Sequence, residues 1–428
     1  MTTLQTITDA VARLGDDPLA EAAVVEHIHP LFSRVLSRNE RTGEIYLANH
    51  SLGRPLDAAG DDVREFMDAW FTDIDGAWEA WLSEREAYRA RIATLLGCSR
   101  PDSVAPKTSA AQGLRAVMHA LNTPTPRIVA TRGEFDSIDF NLKAAAHKGR
   151  ADVRWVEGDE HGMFQPEDLI AEISDGADLV VLSMAVFVSG QIIRGLGDII
   201  EAAHQYGSLV LLDAYHAYGV LPIGFDDLGA DFLIAGNYKY TRGGPGACFL
   251  AIHPKHLNET GGVPKKGTLF TTDTGWFAKQ DTFAYRRTEE PEFTPGGDAW
   301  LESTPPAITY YQARAGLILT EAIGLDRLRA YSLLQQGVLT ESLADAGIRT
   351  STPAHHGAFV LIAVNDGPAC MRALKDAGVN IDGRPCPTTG AFSIRLCPDL
   401  LTTEAEILEA VRRIAGVIRP YLAHPPAA

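Results

Sequence analysis

A chain of 428 residues is too long for one compact core and suits two linked ones, while 46% hydrophobic and 22% charged residues are ordinary for a globular protein. A formal charge of −17 with no basic stripe argues against a nucleic-acid partner, and apolar stretches of only strand length argue against a membrane span. Five scattered cysteines with no Cys-x-x-Cys pair argue against a disulfide framework or a zinc site, and Met1–Leu14 lacks a secretory pattern, so a cytoplasmic setting without a metal is expected.

In chain order, the first clear element is Ala77–Leu96, which sets Trp78, Trp81, Tyr88, Ile92 and Leu95 at helical spacing on a core-facing stripe. Apolar, β-rich runs follow at Arg127–Thr131, Val153–Glu157, Asp178–Met184, Ser208–Ala214 and Asp231–Asn237, with helix-like segments such as Gln165–Ile173 and Gly197–Tyr206 between them. Continuous apolar strands separated by helices predict a mostly parallel sheet covered on both faces. Residues 60–290 are therefore expected to form a large α/β domain. Near the end, Thr403 and Glu406 spell a capping box before Ile407, Val411, Ile414 and Ile418, which share one helix face. Residues 291–428 are expected to form a smaller α+β domain, joined by residues 1–59 as an N-terminal arm, with a frayed tail at 424–428.

The stretch Leu211–Cys248 carries the chemistry. One apolar run ends at Asp213, and the next ends just before Asn237-Tyr238-Lys239-Tyr240. Functional side chains in open α/β sheets stand at the carboxyl ends of strands, so Asp213 and Lys239 are expected there, one βα unit apart. A lysine amine that forms a Schiff base, with a carboxylate that keeps a pyridine nitrogen protonated, is what pyridoxal 5′-phosphate (PLP) chemistry needs. Gly243, Gly244 and Gly246 allow a tight turn after the lysine. Taken singly, an aspartate after a strand is often a helix cap and a loop lysine is usually solvated. The pairing, with Lys239 between two tyrosines at the end of a buried strand, favours the chemical reading.

On Asp213-Ala214-Tyr215-His216, Tyr238-Lys239-Tyr240 and Gly243-Gly244-Pro245-Gly246, the sequence resembles kynureninase, a PLP enzyme of the class V aminotransferase group. Further matches occur in the same order: Tyr46–Gly53 with its Asn-Ser-Leu-Gly segment, Gly275-Trp276-Phe277, Ser303-Thr304-Pro305-Pro306, and Ile394-Arg395 on a late strand. The resemblance spans about residues 40–420. It implies PLP fold type I, with a mostly parallel seven-stranded-type sheet, and a homodimer with shared active sites. It also implies roles. Phe135 stacks on the PLP ring, with Ser137 from the same segment in the cofactor set. Thr108, Ser109 and Gln112 match the phosphate cup, and Tyr238 bonds the phosphate and moves protons. Trp276 and Thr304 resemble phosphate-side residues that cross the dimer interface, and His216 reaches both Asp213 and the cofactor. Arg395 clamps the substrate α-carboxylate, and Asn49 and Phe277 join it on the substrate side. Plainer readings stay open beside these: a core phenylalanine for Phe135, a structural histidine for His216, a surface ion pair for Arg395.

Several stretches depart from the family pattern: Thr241-Arg242 after the lysine, Val186–Gly190, Thr304, and Pro106–Gln112. A substrate other than kynurenine is therefore open. The implied function is hydrolytic Cβ–Cγ cleavage of a small-molecule amino acid, releasing alanine. The alternative is another class V activity: a C–S lyase, a cysteine desulfurase or an aminotransferase. Cys397 is the nearest candidate thiol for a desulfurase, but it sits beside a proline in a strand rather than on a flexible loop. A cofactor-binding protein without catalysis has no need of a substrate clamp, and no Gly-x-Gly-x-x-Gly supports a nicotinamide enzyme.

Overall fold

Short runs of apolar and β-branched residues form the strands of this protein, whose computed structural model describes residues 2–423. The tail at 424–428, expected to fray, lies outside the described residues. In chain order the strands are β1 (Ile45–Tyr46), β2 (Val104–Lys107), β3 (Arg127–Thr131), β4 (Asp152–Val156), β5 (Leu179–Ser183), β6 (Leu209–Asp213), β7 (Phe232–Gly236), β8 (Cys248–Ile252), β9 (Val360–Val364), β10 (Val379–Asn380), β11 (Asp382–Pro385) and β12 (Phe392–Leu396).

Seven of them make one sheet in the order β2-β8-β7-β6-β5-β3-β4. Strands β3 to β7 pair in parallel, and β8 runs against its neighbours β7 and β2. The expected mostly parallel sheet is present, and each strand read from the sequence lies within a residue of its observed place. Two antiparallel members, β2 and β8, were not among those read.

The alternation along each strand splits the core in two. Val129, Val180, Leu182, Val210, Leu212 and Leu233 face one side, where helices Ala77–Leu96, Leu196–Gln205 and Ile308–Ile323 contribute Tyr88, Ile199 and Leu317. Ile128, Ala130, Leu179, Val181, Leu211 and Ile234 face the other, against Leu114 of helix Ala110–Met118 and Leu142 of helix Asp136–His147. Covering both faces explains why these strands are continuously apolar.

A three-stranded antiparallel sheet, β11-β12-β9, and the parallel pair β1-β10 build a second region. Its core joins Ile362, Ile394 and Leu396 to Leu374 and to Ile407, Val411, Ile414 and Ile418 of helix Glu404–Ile418. Both halves of the capping box at Thr403 and Glu406 are formed. Helix Ile308–Ile323 turns Tyr310, Ala313 and Leu317 to the large sheet, and Ala315, Ile318 and Leu319 to Ile7, Val24 and Phe32 of the N-terminal segment. Among the described residues, no helix is long and apolar enough to cross a membrane, and no group of three or more His, Cys, Asp or Glu is placed to hold a metal.

Candidate active site

Strands β6 and β7 run side by side in parallel, with Asp213 ending β6 opposite Ile234 and β7 running two residues further, so Asp213 and the turn that carries Lys239 emerge at the same edge of the sheet. This is the strand edge where open α/β sheets place ligands. The turn is fixed from two sides by glycines. A methyl group at Gly53 would lie 1.9 Å from the Lys239 carbonyl oxygen, and one at Gly316 would lie 1.9 Å from that of Thr241. Arg242 closes the turn in the left-handed region, at φ 58°.

Asp213 is fully enclosed. Its Oδ1 accepts the Tyr215 N–H at 2.9 Å, whereas Oδ2 is buried with no partner. Burial pushes this carboxyl up to about 6, against the pull of the Tyr215 N–H and of Lys239. A buried carboxylate oxygen left unpaired is costly, and a protonated pyridine nitrogen would supply such a donor.

Lys239 is 6% exposed. Its Nζ donates to the His50 carbonyl oxygen at 2.8 Å and lies 3.2 Å from His216 Nε2. Burial, helped by the charge of Arg395, pushes the amine down to about 7, so much of it is uncharged and nucleophilic near neutral pH. Burial and Lys239 also hold His216 neutral, and its Nδ1 sits 3.1 Å from the Tyr240 hydroxyl. His216 is thus joined to the lysine rather than to Asp213. Tyr238 lies under the amine, its ring centroid 5.6 Å from Nζ, and burial raises its phenol.

At the other end of the site, Ser109 caps helix Ala110–Met118 through a 3.2 Å bond from Gln112 N–H to its Oγ. The N–H and the hydroxyl of Thr108 both donate to Gln112 Oε1, and Gln112 Nε2 donates to Glu302 at 2.7 Å. Buried Lys107, 3.3 Å from Glu302, offsets that carboxylate. Hydroxyls and free N–H groups at a helix start suit a phosphate. Phe135 precedes helix Asp136–His147, which holds Ser137 in its first turn, and its ring meets Phe187 edge-on at 5.1 Å. With the bare Oδ2 of Asp213 and the buried amine of Lys239, these residues fit PLP.

Arg395 is not the surface residue that one reading allowed. It is 1% exposed on β12, where Nη2 donates to Asp382 Oδ2 at 2.7 Å and Nη1 to the Phe187 carbonyl at 2.7 Å, while Nε is buried and unpartnered. Asp382 also receives Ser51 and Arg384, so one carboxylate anchors two guanidinium groups. Asn49 donates to the Cys397 carbonyl at 2.8 Å and leaves Oδ1 buried and bare. Arg242 is engaged elsewhere, with Asp399.

Within one chain, Trp276, Phe277 and Thr304 do not join the Lys239 group. Trp276 Nε1 donates to Thr304 Oγ1 at 3.2 Å, and Phe277 is buried against Trp78 and Trp276. Two residues of the site were not singled out in the sequence. Glu134 is buried between β3 and β5, where Thr131 and Ser183 donate to it and burial pushes it up to about 7. The other is His50, with a fully buried imidazole. Its place inside a stretch already matched as Asn-Ser-Leu-Gly was the one available hint.

A family model described as aminotransferase class-V matches residues 79–381. The chain is 28% identical over 426 residues to the kynureninase of Xanthomonas oryzae pv. oryzae, covering 90% of this chain and 96% of that protein. It is 27% identical over 383 residues to the kynureninase of Geobacillus thermodenitrificans, covering 85% of each. Among solved structures, the cystine C–S lyase C-DES superposes with a TM-score of 0.75 at 19% identity, over 87% of this chain and 98% of that one. The Escherichia coli cysteine desulfurase CsdA superposes with a TM-score of 0.74 at 14% identity, over 89% and 96%.

Proposed function

Because this chain belongs to the aminotransferase class-V family, with the architecture of PLP fold type I and pyridoxal 5′-phosphate as its cofactor, we propose that it is a kynureninase-like hydrolase that cleaves the Cβ–Cγ bond of an amino acid and releases alanine. The observation that carries the site assignment is the bare, buried Oδ2 of Asp213 together with the buried amine of Lys239, which burial lowers to about 7. The match to kynureninases over nine-tenths of the chain favours the hydrolytic outcome.

When bound, PLP supplies an electron sink for charge that develops at the substrate Cα. Asp213 Oδ2 would keep the ring nitrogen protonated, Phe135 would pack on the ring, Thr108, Ser109 and Gln112 would hold the phosphate, and Ser137 would belong to the same set. Lys239 carries the cofactor and later takes the Cα proton, with His216 orienting its amine. Arg395, its fork fixed by Asp382, offers Nε to the α-carboxylate, and Asn49 lines the substrate side. Water adds to the γ-carbonyl carbon, the Cβ–Cγ bond breaks, and its electron pair stays on Cβ. Tyr238 helps return a proton there, which gives alanine and a carboxylic acid. In this proposal the enzyme is a cytoplasmic homodimer, and Trp276 and Thr304 of one copy complete the site of the other, with buried Phe277 backing Trp276 rather than lining the substrate side.

A desulfurase or C–S lyase is the rival, in keeping with the structural neighbours. A desulfurase needs an accessible thiolate. Cys397 is buried, and burial raises its thiol far above the usual range. The test is incubation of purified holoprotein with kynurenine, 3-hydroxykynurenine, cysteine and alanine. Alanine formed from the kynurenines supports the hydrolase; sulfide formed from cysteine alone replaces it with the rival.

A further inference from the structure

Unpartnered buried polar atoms converge on Lys239: Asp213 Oδ2, Asn49 Oδ1, Arg395 Nε and both ring nitrogens of His50. The proposed chemistry uses the first three and leaves His50 without a task. His50 is 0% exposed. Its carbonyl oxygen receives Lys239 Nζ, its ring centroid lies 5.0 Å from Phe359 and 6.4 Å from His216, and its Nε2 is 3.8 Å from Asp382 Oδ2, too far for a hydrogen bond. A neutral imidazole holds one donor and one acceptor, and here both are unmet inside the protein. Packing alone accounts for this poorly, since a phenylalanine fills the same volume without stranding two polar atoms.

The surroundings also decide the protonation state. Burial comes first, and Arg395, His216, Lys239 and Arg384 all act with it to hold the ring neutral. Such a ring is a poor acid but a sound hydrogen-bond donor. His50 and the Arg395 guanidinium pack on the same ring, Phe359, at 5.0 and 5.5 Å, so a substrate held by Arg395 would lie beside His50.

We propose that His50 reads the substrate side chain, donating a hydrogen bond to a carbonyl oxygen on Cγ, so that the site prefers amino acids that carry this acceptor over plain aliphatic ones. The inference deepens the hydrolase reading and rests on its placement of Arg395 as clamp. It also gives a γ-carbonyl a donor, which Phe187 and Phe359, the rings packed on Arg395, do not supply.

The test uses holoprotein and follows the bound cofactor's visible spectrum during titration with alanine, which lacks the acceptor, and with asparagine and kynurenine, which carry a Cγ carbonyl. His50→Phe should weaken the two acceptor-bearing ligands by about tenfold or more while alanine binding shifts by less than about threefold, in keeping with the worth of one specific buried hydrogen bond. His50→Gln, which keeps a donor, should recover part of the difference. If the Phe variant loses its cofactor, His50→Leu serves the same comparison. An equal loss for all three ligands, or no change in their ratio, means that His50 only packs, and the inference fails. Failure of the hydrolase reading looks different: the wild type then releases no alanine from kynurenine, whereas the binding ratio still responds to His50.

Discussion

Lys239 and Arg395 are both buried cations, and burial lowers the pKa of each, with different consequences. A guanidinium stays charged because its starting value is so high, and Asp382 supports it; a lysine crosses into the neutral range. Only the uncharged amine attacks the cofactor aldehyde. The rate at which apoprotein takes up PLP should therefore rise with pH through about 7, as the depressed amine loses its proton. Visible absorbance followed at a series of pH values checks this, and a rise delayed to near pH 10, the range of an ordinary lysine, contradicts it. For Arg395→Gln, kcat/KM on an active substrate should fall by at least about thirtyfold, the loss expected of a buried charge-assisted contact, with the cofactor spectrum retained. A drop below about fivefold would leave Arg395 a structural partner of Asp382. At this scale Asp213 and Lys239 were legible because two strand ends in one βα unit bring them together. His50 and Glu134 were not, because burial and an unmet hydrogen bond are properties of the packed chain and leave no trace in spacing.

The strands of the parallel sheet were readable because burial on both faces makes each a solid apolar run. Strand β2 hid behind Pro106, which argues against a central strand and is tolerated because β2 lies at the sheet edge. Strand β8 starts just past the glycine turn that follows Lys239, and its apolar run was absorbed into that turn. The N-terminal helices escaped for another reason: Ser33–Thr42, for instance, is almost entirely polar and buries only Asn39. What the elements do together is hold one turn. Helix Ile308–Ile323 passes so close beneath it that a methyl at Gly316 would lie 1.9 Å from the Thr241 carbonyl oxygen. Backbone cannot yield as a flexible side chain does, so Gly316→Ala should displace the Lys239 turn and destabilise the fold by about 1–3 kcal/mol. Urea unfolding with a parallel measurement of PLP affinity tests this. Unchanged stability and affinity would show that the turn is held by something else.

At the scale of the whole molecule, Trp276 and Thr304 lie apart from the Lys239 group within one chain and bond to each other. Phe71, Ile74 and Tyr285 are strongly exposed, at 78%, 70% and 72%, and Tyr285 stacks on Trp276. Large exposed apolar residues, one of them stacked on Trp276, support the proposed homodimer. Light scattering should give twice the 46.2 kDa chain mass, and Trp276→Ala should weaken PLP binding without changing the spectrum of what remains bound. A monomer with full activity would contradict it. The exposure of these side chains was not visible in composition, since it depends on what the folded chain leaves uncovered.

The claim on which the rest depends is that Lys239 carries the cofactor. Borohydride reduces the imine that joins PLP to a lysine and fixes the two permanently, so reduction of holoprotein followed by peptide mapping reads the attachment point directly. The account predicts one pyridoxyl group per chain, on Lys239, and none on the Lys239→Ala variant. Label on any other lysine, or label that survives the substitution, would contradict it.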